Sequence, residues 1–504
     1  MMNSEGQKDL IEFGGMSDLR GRTVRGGTII LAVQVLRQVL GLGITAVLAR
    51  LLTPEDFGLL GMVATFTALM VVFGDMGLSM AAVQKPELRW KQISTLFWIN
   101  LALGMLLTGL TAAGSPLIAW FYGEPRLVSL TLWISLGFVI GAIGTQHKAL
   151  MTRRMQFGRL AVCELSGLLI AGAVGIWMAL QGYGVYALVG QTIAGMIVTV
   201  VCCWVITSWV PGLPARRIGM REMLKFGGYL TGFNFVTYLR RNLDNVLIGW
   251  RWGAPQLAIY SKAYHILLLP IQQINTPISR VVIPALSRLQ DTPERYRSYY
   301  LKGVMLIVTL GMPIVAFMFV SADKVILLLL GDQWIDCIAI FRVLGPAAFL
   351  GTFNVATGWV YVSLGQTQRQ FRWGILVSGV IVVSFVIGLR WGVIGVAAAY
   401  SIAVCAMRYP SIVYCFSKSH LEVGDLMGVL WRPALTSVMA GAGTFGANSL
   451  FSFSDNIAIG LVIDLCIFSL FYLISWSLMP NGIHIMGDML KIARGLRFKS
   501  DPVQ

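Results

Sequence analysis

The stretch Leu127–Gln146, LVSLTLWISLGFVIGAIGTQ, carries no charged residue over twenty positions. A helix needs about 20 apolar residues to cross the hydrocarbon core of a bilayer, so this segment reads as a membrane span. Comparable runs recur along the 504 residues, of which 56% are hydrophobic and only 12% charged, against about 25% charged in globular proteins. A soluble enzyme is excluded, and the fold class is an all-α polytopic membrane protein. The cysteines Cys163, Cys202, Cys203, Cys337, Cys405, Cys415 and Cys466 are odd in number, mostly sit in apolar runs and form no C-x-x-C pair. Neither a disulfide framework nor a zinc site is indicated. His147, His265, His420 and His484 lie far apart with no H-E-x-x-H, so no metal site is expected.

Cutting the chain at charged and turn-rich joints gives about fourteen candidate helices: 27–51, 57–83, 93–121, 127–148, 157–180, 184–209, 223–249, 256–287, 301–329, 337–364, 371–389, 392–417, 430–451 and 456–479. Residues 1–25 carry acids and glycines before their basic residues, with no A-x-A site ahead of the first apolar run; they read as a retained cytoplasmic tail. Of the 39 Lys and Arg, 27 fall in joints on one side and 5 in joints on the other. Cytoplasmic loops carry the excess, which puts both termini in the cytoplasm. The net charge of +16 is largely this bias, with anionic lipid contact, and not a nucleic-acid footprint. The tail 480–504 sets Met486, Met489, Leu490, Ala493 and Leu496 opposite Lys491, Arg494 and Arg497, the pattern of a basic amphipathic helix lying in the interface.

An internal repeat organises the spans. Gly26-Gly27 precedes Gly227-Gly228 by 201 residues, Arg50-x-x-x-Pro54 meets Arg251-x-x-x-Pro255 at the same offset, and Gly123-Glu124 meets Gly331-Asp332 at 208. Matches in register with one topology point to a parallel duplication. The expected domains are an N-lobe at 26–209 (helices 1–6), a linker at 210–222, a C-lobe at 223–417 (helices 7–12) and accessory helices 13 and 14 at 430–479. The two pseudo-symmetric lobes are expected to face each other across a cleft.

Ionisable groups inside spans are the most informative residues, because each costs about 3 kcal/mol at the bilayer centre and so faces a cavity or a partner. In the first span Gln34, Arg37, Gln38, Gly41 and Thr45 share one stripe, with Arg37 near the midpoint; the structural alternative is an arginine bonded to carbonyls of a broken neighbouring helix. In the seventh, Asn234, Thr237, Arg241 and Asn245 share a stripe, and Arg240 can pair with Asp244 one turn on. The eighth has Pro270, Pro277 and Pro284 at intervals of seven, with Lys262, His265, Gln273, Thr276 and Arg280 along one line. A bent helix with a polar stripe suits a substrate path; the alternative is a kinked packing helix whose Lys262 and Arg280 snorkel to opposite faces. Candidate substrate-binding residues are therefore Arg37, Arg241, Arg240, Lys262, Arg280, Gln34 and Gln273. Candidate ion-coupling acids are Asp75, Glu164 and Asp244, with Asp464 a further intramembrane acid. Basic residues outnumber acids within the spans, as Arg342 and Arg408 add to the list. Such a balance fits an anion, and guanidinium groups match a pyrophosphate headgroup.

No G-x-x-x-x-G-K-[ST] and no D-x-D occurs, and the outer joints hold only a few residues each, which speaks against ATP hydrolysis, nucleotide-sugar transfer and polymerisation. The runs Leu51 to Leu60 (LLTPEDFGLL), Gly74 to Leu78, Ser94 to Asn100 (STLFWIN), Arg154 to Leu160 (RMQFGRL), Gly182 to Val189 and Trp209 to Pro214 resemble the polysaccharide transporter, or oligosaccharide flippase, family. That family belongs to the multidrug, oligosaccharidyl-lipid and polysaccharide exporter superfamily, and the chain looks most similar to its colanic acid and exopolysaccharide exporters. The resemblance implies a secondary transporter in the bacterial inner membrane that flips undecaprenyl-pyrophosphate-linked oligosaccharide repeat units by alternating access. It implies coupling to Na+ or H+ without a resident cofactor, no catalysis, and as partners the lipid-linked substrate, membrane lipids, and polysaccharide polymerase and chain-length machinery. A multidrug exporter of the same fold and a membrane polysaccharide polymerase are the alternatives.

Overall fold

The structure is a computed structural model that describes residues 19–74, 90–214, 220–450, 456–480, 482 and 487, with side chains described outside 19–32, 72–74, 220–237 and 239–241. Asp75 and the calls on the two termini, apart from residues 19–25, 480, 482 and 487, lie outside the described residues. Helices follow one another in the order α1 (Leu19–Leu51), α2 (Pro54–Gly74), α3 (Trp90–Tyr122), α4 (Arg126–Arg153), α5 (Phe157–Leu180), α6 (Val185–Thr207) and α7 (Met220–Arg288). Then come α8 (Pro293–Val320), α9 (Ala322–Leu330), α10 (Cys337–Gly351), α11 (Asn354–Ser363), α12 (Thr367–Gly388), α13 (Gly392–Phe416), α14 (Val423–Leu450) and α15 (Ile457–Leu478). No strand occurs among the described residues.

By length and composition eleven stretches can cross a membrane, so the count of fourteen expected from the sequence is not reproduced as such. Two of the eleven, Asn242–Arg288 and Thr367–Phe416, run to 47 and 50 residues, about twice one crossing. Each contains a backbone break. Gly253 has φ 81° and ψ −179° inside α7, and the 3₁₀ turn Leu389–Trp391 followed by Gly392 at φ 76° parts α12 from α13. Fully buried residues make up at most 44% of the most apolar 18-residue window of each stretch, and many large apolar side chains, such as Leu110, Leu117, Val205, Ile402 and Leu478, are exposed, as lipid-facing positions are. Trp120, Trp177, Trp250, Trp252 and Trp391 are exposed near helix ends or the Gly253 break, where aromatic side chains suit a membrane interface.

Turn geometry repeats along the chain. After α4, Gln156 N–H bonds Met151 O and Met155 N–H bonds Thr152 O; after α11, Gln366 N–H bonds Tyr361 O and Gly365 N–H bonds Val362 O. Both are Schellman closures with a left-handed residue, Met155 at φ 56° and Gly365 at φ 66°. Gly123 and Gly331, aligned by the repeat, are also left-handed, as are Gly184 before α6 and Gly392 before α13.

The chain divides into two compact units, 1–258 and 259–504, a boundary inside α7 and not in the 210–222 linker. Local packing within the first unit accounts for this. Tyr238 donates to Thr65 O, Trp250 stacks on Phe121 at 6.3 Å, and Ala254 O sits where a Cβ on Gly58 would be, 1.8 Å away. The LLTPEDFGLL run explains itself here. Thr53 and Asp56 exchange capping bonds, Thr53 N to Asp56 Oδ2 at 3.0 Å and Asp56 N to Thr53 Oγ1 at 3.3 Å, with Pro54 at the first helical position, where its missing N–H costs nothing. Glu55 reaches Arg126 at 2.5 Å.

The STLFWIN run likewise anchors the segment after α6. Ser94 Oγ accepts Gly212 N–H at 3.0 Å and Trp98 donates to Gly212 O at 2.9 Å, while His147 stacks on Trp204 at 4.3 Å. In the second unit the core gathers Tyr296, Tyr300, Trp359 and Phe416 from α8, α11 and α13. Two of its buried polar groups are matched, Tyr296 Oη with Ser363 Oγ at 2.7 Å and Trp359 Nε1 with Ser279 Oγ at 2.8 Å, whereas the Tyr300 and Tyr361 hydroxyls are buried without a hydrogen-bond partner among the described residues.

Candidate functional site

Among the described side chains, the predicted cations Lys262 and Arg280 of the second unit lie apart on α7, and Arg37 stands in the first unit. In the first unit Arg37 on α1 meets Glu164 on α5, Nη1 to Oε2 at 2.9 Å, with side chains 57% and 34% exposed. The structure therefore joins a predicted substrate cation to a predicted coupling acid. Gln34 and Gln38 flank Arg37 one turn before and one residue after, both half-buried. The Arg240 and Arg241 backbones belong to α7, and their side chains fall outside the described ones. Asp244 is buried, and its Oδ1 accepts the Asn245 N–H at 2.9 Å.

In the second unit the proline-bearing half of α7 carries the richer site. Asn275, Thr276, Ser279, Arg280, Ile283 and Pro284, facing Val355 of α11, line a groove of about 450 Å³. Prolines at 277 and 284 remove backbone donors on this stretch, and the hydroxyls beside them fold back onto the helix: Ser279 Oγ donates to Asn275 O at 2.7 Å and Thr276 Oγ1 to Gln272 O at 2.8 Å. Arg280 is exposed, and no hydrogen-bond or ion-pair partner holds it among the described residues. From α13, Arg408 donates to Asn354 Oδ1 in the first turn of α11 and lies over Phe353 at 5.5 Å. Two guanidinium groups thus approach one end of α11, one tethered and one open.

Thr276 and Arg280 of the predicted stripe line the groove, whereas Gln273 does not. Lys262 lies 18 residues before Arg280, about 27 Å away along a helix, half-buried near Cys337 and His265. Asn275, Ser279 and Asn354 were not singled out from the sequence, because single amides and hydroxyls on an apolar helix give no pattern. Arg408 was counted as intramembrane but not assigned to the site; its distance in sequence from α7 hid the convergence. The remaining intramembrane charges are braces. Asp464, fully buried, accepts from Ser321 Oγ at 2.9 Å and Lys324 Nζ at 2.7 Å. Arg342 stands 3.6 Å from Asp323. No group of three metal-ligating side chains assembles among the described residues.

Residues 47–339, more than half of the chain, match the family described as polysaccharide biosynthesis protein. The chain belongs to this family. It is 25% identical over 389 residues to the lipopolysaccharide biosynthesis protein WzxC of Escherichia coli K12, covering 76% of this chain and 78% of that one. It is 28% identical over 306 residues to the teichuronic acid biosynthesis protein TuaB of Bacillus subtilis 168, covering 59% and 62%. The fold matches that of a lipid II flippase, MurJ, in an inward closed conformation, with a TM-score of 0.71 over 89% of this chain and 98% of that one at 15% identity. Family membership, the apolar helices and this shared fold make the protein a multi-pass membrane member of the polysaccharide biosynthesis machinery.

Proposed function

We propose that this protein is a secondary transporter that flips undecaprenyl-pyrophosphate-linked oligosaccharide repeat units from the cytoplasmic to the outer leaflet of a bacterial inner membrane. Both termini are then cytoplasmic, an Na+ or H+ gradient drives the cycle, no chemistry is done on the cargo, and the polymerase and chain-length machinery use the delivered units. The observation that carries the reading is Arg280, an exposed guanidinium with no partner among the described residues, in a mostly apolar groove on a proline-bearing span. A guanidinium within an apolar span is costly without an anion, and its planar fork fits phosphate oxygens. The names of the relatives agree with it: a succinoglycan biosynthesis transport protein of Rhizobium meliloti is 23% identical over 289 residues, covering 57% of this chain and 58% of that one.

The test compares undecaprenyl-pyrophosphate oligosaccharides from cells with the gene, without it, and with Arg280→Ala, sorted by leaflet accessibility. Complete repeat units are expected to accumulate on the cytoplasmic side in the deletion, and by Arg280→Ala to at least half that extent. Repeat units that reach the outer leaflet unpolymerised in the deletion would instead assign polymerisation to the protein.

A further inference from the structure

The Arg37–Glu164 pair, unlike the buried and doubly bonded Lys324–Asp464 brace, is half-made. One guanidinium nitrogen meets one carboxylate oxygen at 2.9 Å, and neither side chain has a further bond among the described residues. The guanidinium keeps the rest of its five-donor fork open, and 57% of the Arg37 side chain is exposed. An exposed, single-contact ion pair is weak, whereas a phosphate group engages the fork through two parallel bonds.

We propose that Glu164 is a stand-in anion: it occupies Arg37 while the transporter is empty and yields it to the pyrophosphate headgroup of the substrate. This inference rests on the flippase reading above and assigns the first anion contact within it. The arrangement serves two ends. A lone arginine near the middle of α1 would be an unpaired charge in the empty protein, which Glu164 prevents. A transporter must also let its cargo go, so binding has to be firm enough to load and weak enough to leave. Glu164, held beside the contact on α5, competes for Arg37 and hastens release.

The experiment uses the full chain in lipid nanodiscs, with undecaprenyl pyrophosphate as probe and undecaprenol as the control without a headgroup. Wild type, Glu164→Gln, Glu164→Ala, Arg37→Gln and the Arg37→Gln/Glu164→Gln double variant are compared, each first shown monodisperse. Removing the competitor is expected to tighten pyrophosphate binding about twofold to fivefold, the span allowed by losing an exposed ion pair, and to slow export in cells. Arg37→Gln is expected to weaken binding about tenfold or more, as loss of a charged hydrogen bond does. In that background Glu164→Gln is expected to change nothing further. If both Glu164 variants leave affinity unchanged, or weaken it in parallel with Arg37→Gln, the pair is a brace between α1 and α5, and the proposal falls while the flippase reading stands. If wild type binds undecaprenol and its pyrophosphate equally, both readings fall.

Discussion

Two ion pairs of nearly equal length do opposite things because their surroundings differ. Lys324–Asp464 at 2.7 Å has its carboxylate wholly out of contact with solvent and lipid, bonded a second time by Ser321. Arg37–Glu164 at 2.9 Å is open on both partners. Breaking a buried pair by removing one partner leaves an uncompensated charge and costs about 3–5 kcal/mol. Lys324→Met is therefore expected to lower the unfolding midpoint in detergent sharply, and Asp464→Leu in addition to restore most of it, since a well-packed apolar pair replaces a buried ionic one without great loss. Thermal unfolding of the purified single and double variants reads this out; a Lys324→Met midpoint within a degree of wild type would remove the brace from the account. From the sequence Asp464 reads as an intramembrane acid able to carry a coupling ion, because its partner Lys324 sits 140 positions away on α9. Only the fold tells a brace from a relay.

At the scale of elements, the joints carry the information. The α3–α4 joint is pinned by Arg126, which bonds Glu124 at 2.8 Å and Glu55 at 2.5 Å. The Arg126 hydrogen bond to the Glu124 carboxylate outweighs partial desolvation and holds its pKa below the ordinary 4.5. A depressed carboxyl stabilises the fold above its unfolded pKa, and that contribution fades as the pH falls through the lower folded value. Amide exchange over residues 119–127 is thus expected to quicken as the pH drops below about 4.5, after correction for intrinsic rates. Arg126→Ala should show the faster exchange already at neutral pH, and the effect should shrink in salt because the pair is exposed. These joints were legible in the sequence as Gly-Glu-Pro-Arg and Thr-Pro-Glu-Asp, since turn and cap residues act locally. The close approach of Gly58 to Ala254 was not, because a glycine inside an apolar helix looks the same whether it meets lipid or another backbone.

At the scale of the molecule, periodicity, turn residues and charge bias located the spans and also the breaks within the long helical stretches: the joints expected at 250–255 and 390–391 fall on Gly253 and on the Leu389–Trp391 turn. Each of the fourteen expected spans overlaps a helix where the chain is described. The expected boundary at 210–222 marked where turn residues cluster; the structural boundary, after Ala258, is set by which helices pack against residues 238–258, and composition does not encode that. Site residues were legible as charges on spans and illegible as partners for the same reason. Topology remains a prediction of charge counting, with 27 basic joint residues against 5, and it has a direct check. Alkaline phosphatase fused after Glu124 or Asp332 is expected to be active, because the charge count puts both joints on the outer side, whereas fusions after Arg154 or Ser419 are expected to be inactive there and fluorescent as green fluorescent protein fusions. Opposite results at the two members of the repeat-related pair Glu124 and Asp332 would mean that the halves are inverted and not parallel. The shared Schellman closures at Gln156 and Gln366 would then belong to opposite faces of the membrane, and the charge bias would have lost its meaning for this chain.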